Sequence, residues 1–430
     1  MKARARAVLV LGALLALGAS AAIAGEQPET SQAATTKKQR SQGSQARSAK
    51  AASTATPAKQ GAPIVRPSST LAPLSPGIVP DGIYHGRSDR FAFGGHGEVR
   101  FGHDRERGLE NPEWLSFPRI EAFALARVHR RAQVMVDAAY DRTMDQLVLE
   151  RAMVDWRVGP AMSVHAGVML PPLGRANREH QSPRAEFSDR SLVATDLVGA
   201  PVSMFGIGVH GLRGGAGRPA FTYEVDLVNG YDDGVVTEAA PGTRIPSGRN
   251  TAGDNNGMPA LVGRVALRPR TGSEFGLAAY TGQYNSTEIE GVTVDEARWL
   301  HMAVVDAAAT VAGCRVVGEA GMAVVDVNPT LRALYPEEQW GAALTVSRQI
   351  FAPLLPKWRY SSLTVALRGD AVDFDRGLPG DSRSRVSAAL NIRPSDRAVI
   401  RGQWFYEVVR DRFDNPTPAA GISAGGAIYF

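Results

Sequence analysis

From Phe91 to the last residue, apolar side chains recur at every second position. That period belongs to strands, because a helix repeats its apolar face every 3.6 residues. In Ala132–Tyr140 one face carries Ala132, Val134, Val136, Ala138 and Tyr140, while Arg131, Gln133 and Asp137 take the other. In Glu150–Val158, Ala152, Val154, Trp156 and Val158 oppose Arg151, Met153, Asp155 and Arg157. In Arg385–Arg393, Val386, Ala388, Leu390 and Ile392 oppose Arg385, Ser387, Ala389, Asn391 and Arg393. In Arg397–Glu407, Ala398, Ile400, Trp404 and Tyr406 oppose Arg397, Arg401, Gln403 and Glu407. Sixteen such segments are expected, near 91–101, 117–128, 131–141, 147–158, 161–170, 202–212, 220–229, 259–268, 273–284, 298–311, 314–326, 338–350, 359–371, 382–393, 397–410 and 421–430. Their connections alternate in length: short at 129–130, 159–160, 269–272, 312–313 and 394–396, long at 102–116, 171–201, 230–258, 285–297 and 327–337. The short connection 142–146 breaks the rule.

A soluble sandwich would bury the apolar face; a membrane barrel turns it to lipid and lines a wet lumen with the polar face. Strands of about ten to fourteen residues, an even count and unequal loop lengths at the two ends point to the barrel. The chain ends on a strand, Ile422–Phe430, whose aromatic pair Tyr429 and Phe430 resembles the signal read by barrel-assembly machinery. The expected fold is therefore all-β: a transmembrane antiparallel β-barrel of about 16 strands over 80–430, preceded by a disordered N-terminal segment.

The N-terminus reads as an address. Lys2, Arg4 and Arg6 precede the apolar run Ala7–Leu17, and small residues end at Ala22-Ile23-Ala24. This is the pattern of a secretory signal peptide, 1–24, cleaved before Gly25. The run is too short for a spanning helix. Residues 25–79 are low in apolar content and cannot offset their ordering entropy. They carry seven basic residues against Glu26 and Glu29. They are read as a basic periplasmic linker, either a solvated spacer or an arm contacting peptidoglycan. The formal charge of +5 and the high pI thus reside in these two segments, and the remaining chain is slightly acidic. That excludes a nucleic-acid partner. The single Cys, Cys314, excludes a disulfide framework.

The stretch Leu149–Arg157, followed by Val164–Gly174, resembles the phosphate-selective porin (O and P type) family. So do Phe221–Val225 with Asn229-Gly230, Asp254-Asn255-Asn256, and Val386–Pro394. The resemblance covers about 91–430. It implies a sixteen-stranded outer-membrane porin of a Gram-negative-type cell, a homotrimer, with a long third loop folded into the pore. It also implies a channel for ion transport without cofactor. The family's selective members share dense lumen lysines and arginines, and here the sequence departs: past residue 80 the only lysine is Lys357.

A pore selects by size, wall charge and hydrogen-bonding groups. Alternation places Arg119, Arg127, Arg131, Arg151, Arg157, Arg264, Arg268, Arg368, Arg385, Arg393 and Arg401 inward. It also places Glu121, Asp137, Asp155, Glu224, Asp226, Glu319, Asp370 and Glu407 there. The balance predicts a weak anion preference, reduced wherever cross-strand pairs form. The connection 171–201 is the expected constriction loop, with Arg175, Arg178, Glu179, His180, Arg184, Glu186, Asp189 and Arg190. The connection 230–258 is expected outside as a surface loop. The alternatives are a non-conducting surface barrel and, further off, a barrel enzyme. Gly206–Gly211 matches G-x-G-x-x-G but lies within a strand pattern, so no dinucleotide site is expected. Arg368-Gly369-Asp370 is likewise mid-strand. No His pair has local ligand spacing, so no metal site is expected, and no G-x-S-x-G occurs. Expected partners are outer-membrane lipid, lipopolysaccharide and the assembly machinery.

Overall fold

The computed structural model describes residues 90–430 apart from 108, 112–114, 142–144, 216–217, 238–241 and 356–357. The expected signal peptide, the linker 25–79 and Lys357 lie outside the described residues. Sixteen strands build one sheet. They are β1 (Phe91–Glu106), β2 (Ser116–His129), β3 (Ala132–Asp141), β4 (Gln146–Arg157), β5 (Ser163–Met169), β6 (Met204–Gly214), β7 (Ala220–Val228) and β8 (Ala260–Arg268). Then follow β9 (Glu274–Gln283), β10 (Trp299–Val311), β11 (Cys314–Val325), β12 (Glu338–Phe351), β13 (Ser362–Asp373), β14 (Ser382–Ser395), β15 (Ala398–Arg410) and β16 (Pro416–Tyr429). A stub, Leu109–Asn111, pairs onto the end of β1, and a small hairpin, Glu288–Ile289 with Val292–Thr293, sits in a loop.

Each strand pairs antiparallel with its sequence neighbours, and β1 also pairs with β16 from His96↔Tyr429 to Glu106↔Ala419. Phe430 completes the seam: its N–H donates to Gly95 O at 3.0 Å and its carbonyl accepts from Gly95 N–H at 3.1 Å. The sheet has no open edge, which is the condition for a strand to lie in lipid. The expected closed antiparallel barrel is the observed fold.

The short turns gather at one end of the barrel. At Ala312-Gly313 both residues have positive φ, 50° and 77°, the geometry of a two-residue hairpin whose twist matches its strands. The connections 170–203, 229–259, 284–298 and 326–337 gather at the other end. β3 and β4 also join at that end, and β12 and β13 join at the turn end through a longer connection than its neighbours.

The outer face is apolar and exposed: Phe93, Ile207, Leu344, Leu367, Val386, Ile400 and Ile428 all point away from the lumen, Leu367 with 62% of its surface open. A soluble protein rarely leaves such a continuous patch uncovered. Exposed aromatics ring both ends, Tyr140, Phe205, Trp299 and Trp340 on the loop side and Phe91, Trp156, Phe275 and Phe351 on the turn side, as interface girdles do.

The inner face holds the ionisable rows, but it is not uniformly wet. The connection 170–203 turns into the barrel through a short helix, α1 (Gly174–Arg178), and a π-helical turn at Val193–Val198. Leu173, Leu192, Val193 and Leu197 pack on Val262, Tyr280, Met302, Val304 and Val325 of the wall. The connection 230–258 joins them: Tyr231, Val235 and Ile245 are fully buried in the same cluster. Its expected place outside the barrel is therefore corrected. Its charges, Asp232 and Asp233, mask three apolar side chains that find cover only inside, and Tyr231 Oη donates to Val198 O at 2.7 Å.

Candidate functional site

The loop 170–203 crosses the lumen and is bonded to three parts of its wall. The first is β13–β15. Asp189 accepts from Arg368 Nη2 at 2.6 Å, lies 2.9 Å from Arg385 Nη1, and accepts from the Gln403 amide. Asp370 backs both arginines, at 2.6 and 3.2 Å. Burial would raise the Asp189 pKa, but Arg368 and Arg385 outweigh it and hold the group below the ordinary carboxylate value. Arg401 donates to the Ser182 and Ala185 carbonyls at 3.0 and 2.7 Å. Arg393 donates to the Pro183 carbonyl, and Asn391 to Glu186 Oε2 at 3.0 Å. Arg383 reaches Asp196 at 2.7 Å and Glu407 at 2.7 Å.

The second is β2–β4. His180 Nε2 stands 2.9 Å from Glu150 Oε2 and 3.5 Å from Glu121 Oε2. Arg119 bridges Glu121 at 2.8 Å and Glu150 at 2.5 Å, and His96 Nε2 lies 3.0 Å from Glu121. Burial would lower the His180 pKa, but Glu150 and Glu121 more than offset it and raise it above the free imidazole value. Arg151 sits 3.8 Å from Asp137. A β-bulge makes this crowding possible: between Asp137 and Ala138 the register slips so that β4 carries one extra residue, and Glu150 and Arg151 both become buried. The third is β7–β9. Arg264 pairs with Asp306 at 2.7 Å and Glu274 at 2.8 Å, Arg268 with Glu274 at 2.5 Å, and Arg175 lies 3.7 Å from Glu274.

Between loop and wall lies a cavity of about 530 Å³. Arg175, Arg178, Glu179, His180, Arg184, Glu186, Asp189 and Arg190 all line it, together with Arg119, Arg151, Arg264, Arg268, Glu319 and Arg368. Arg127 and Arg157 lie half-buried near the turn end. Asp155 accepts from His210 Nε2 and Gln133 Nε2 at 2.8 and 3.0 Å. Glu224 and Asp226 are buried on β7. Arg131 is a correction: it occupies the 130–131 turn and is exposed, because alternation ends where the backbone reverses. Tyr429 points inward and donates to Gln181 Oε1 at 2.7 Å, while Phe430 is exposed on the outer face.

Most wall arginines are thus held in ion pairs. Two lumen arginines outside the expected rows differ. The Arg100 and Arg315 side chains line the cavity and make no hydrogen bond or ion pair with a described residue. Both were readable by extending strand parity, Arg100 two residues beyond Glu98 and Arg315 directly after the 312–313 turn. The structure also brings together two groups able to hold a cation: Glu121, Asp137, Glu150 and His180, and His165, Glu224 and Asp226. Neither is local in sequence, so spacing could not reveal them. The first already contains Arg119 as a counter-charge, with His96 Nε2 3.0 Å from Glu121.

No family model matches the chain, and no curated protein matches it by sequence. Solved structures do match. OprB of Pseudomonas putida is 9% identical over 79% of this chain and 94% of its own, with a TM-score of 0.52. The anion-selective porin of Comamonas acidovorans is 10% identical over 79% and 99%, with a TM-score of 0.51. The outer-membrane channel DcaP of Acinetobacter baumannii is 12% identical over 79% and 97%, with a TM-score of 0.50. At such identities the likeness concerns architecture: this chain has the fold of the porin barrels.

Proposed function

We propose that the protein is an outer-membrane porin, a water-filled channel through which small hydrophilic solutes diffuse passively, with a weak anion preference. The observation that carries this reading is the third loop folded into a closed barrel, leaving a charged cavity of about 530 Å³ against the wall. A channel needs polar walls and a constriction, with no reacting groups. Arg100 and Arg315 add positive charge to that cavity outside the ion pairs of the wall, which supports the anion preference. Phosphate selectivity of the O and P type is not part of the proposal, since Lys357 is the only lysine past residue 80 and most lumen arginines are held in ion pairs. Residues 1–24 are proposed as a cleaved signal and 25–79 as a periplasmic linker. The assembled form is proposed to be a homotrimer.

One observation favours the alternative, a barrel that does not conduct: the apolar cluster of Leu192, Leu197, Tyr231, Val235 and Ile245 occupies the loop-end half of the lumen. Planar-bilayer recording separates the two. The porin reading expects steady single-channel conductance and, in a KCl gradient, a reversal potential on the anion side. A folded, purified protein that never conducts refutes the porin. Reversing Arg184 and Arg190 to Glu should move the reversal potential toward cations, and an unchanged value would remove the loop from the conduction path.

A further inference from the structure

In the wall beneath α1, His165 of β5, Gly208 of β6 and Asp226 of β7 stand side by side in register. Glu224 lies two residues from Asp226 on the same inner face, and the three donor groups come within 4.8 Å of one another. Gly208 keeps the space between them clear: a Cβ there would fall 1.9 Å from Asp226 Oδ1 and 2.8 Å from His165 Nε2. His165 is 1% exposed and Asp226 0%. Buried polar atoms are almost always hydrogen-bonded, yet neither nitrogen of His165 and neither carboxylate oxygen of Asp226 makes a well-aligned hydrogen bond with a described residue. Nε2 and Oδ1 are 2.9 Å apart but lack the alignment of a bond.

The neighbouring pair is an internal control. His210 and Asp155 are the same two residue types, with rings of His165 and His210 5.3 Å apart. There Nε2 meets Oδ1 at 2.8 Å as a hydrogen bond, and Gln133 satisfies the other oxygen. One His–Asp pair is closed and the other is open. A void of about 20 Å³ opens beside His165 and Glu224, room for roughly one water or one ion. Three carboxylates, Asp155, Glu224 and Asp226, face this region. Arg178 is 4.0 Å from Glu224, Arg151 lines the void, and Arg264 is committed to Asp306 and Glu274.

We propose that His165, Asp226 and Glu224 bind a first-row dication of the Zn²⁺ class. Metal–nitrogen and metal–oxygen bonds of about 2.1 Å put adjacent donors about 3.0–3.4 Å apart, so the 2.9 Å between Nε2 and Oδ1 needs only a small opening to admit the ion. An imidazole with two carboxylates and no thiolate favours such an ion over Ca²⁺. The ion ties β5 to β7 and replaces Arg178 as the partner of Glu224, so it touches the anchor of the third loop.

The test uses the full-length protein in detergent, stripped with EDTA, dialysed and titrated calorimetrically with Zn²⁺. One equivalent is expected. His165→Ala and Asp226→Asn should each weaken binding by at least about tenfold, ~1.4 kcal/mol, while His103→Ala at the exposed rim should bind as wild type. No binding by the wild type, or equal binding by the His165 and Asp226 variants, overturns the proposal. So does a loss seen in Glu150→Gln with His165→Ala unaffected, which puts the ion in the other cluster. Should the two variants fail to show the heat-modifiable mobility of a folded barrel, Cu²⁺-loaded wild type decides: imidazole nitrogen coupling in its paramagnetic resonance supports the site, and an oxygen-only spectrum overturns it.

Discussion

Asp189→Asn tests how the third loop is held. The carboxylate faces Arg368, 5% exposed, and Arg385, 10% exposed, at 2.6 and 2.9 Å. Removing one partner of a buried ion pair costs about 3–5 kcal/mol, because the remaining charge is left without compensation. Asp370 stays on both guanidiniums, so roughly half of that, about 2 kcal/mol, is expected here. At ~1.4 kcal/mol per decade, the ratio of docked to released loop should fall about thirtyfold. No strand ladder is touched, so the barrel should keep its heat-modifiable mobility. Protease cleavage between 182 and 196 should accelerate, and single-channel recordings should show larger, noisier openings. The wild-type carboxylate has a depressed pKa. Its contribution is therefore present above the ordinary carboxylate value and is lost only as pH falls through the depressed one. The wild-type loop should stay docked on acidification to about pH 5. Wild-type cleavage rates and conductance in Asp189→Asn would refute the anchoring argument.

His180 should give the opposite pH sign. Its raised pKa means the contact with Glu150 and Glu121 is fully present below the free imidazole value and weakens as pH rises through the raised one. Loop cleavage should then increase on the alkaline side in wild type and be flat over that range in His180→Ala; a flat wild-type profile contradicts it. Leu344→Arg puts a charge on the outer face and should cost about 2–4 kcal/mol of folding in lipid vesicles; a cost near zero would mean that face does not meet lipid. Arg315→Glu should shift the reversal potential toward cations without lowering the thermal midpoint, since the side chain makes no hydrogen bond or ion pair with a described residue. Deleting Phe430 removes two seam hydrogen bonds to Gly95 and should lower the yield of folded barrel in the outer membrane, with normal yield as the contrary result.

Strand periodicity is local information, carried by the backbone itself: successive side chains point to opposite faces. For that reason Ala132–Tyr140, Arg385–Arg393 and their fellows read as strands, and a whole inner row follows from one correctly placed residue. Closure follows as well, because lipid tolerates no open edge. What alternation cannot carry is partnership across the lumen. Arg368 and Arg385 are on the wall by parity, but their pairing with Asp189, some 180 residues away, depends on where a thirty-residue loop folds. The inward course of 230–258 was equally hidden, since Tyr231, Val235 and Ile245 show no period beside Asp232 and Asp233. His165, Glu224 and Asp226 meet only because β5, β6 and β7 pair in one register over Gly208. The linear chain determined which side of the wall most strand residues face, outside the turn at Arg131 and the bulge at Glu150. The charge left uncompensated inside it was decided by tertiary structure, because Coulombic pairing depends on distance in space.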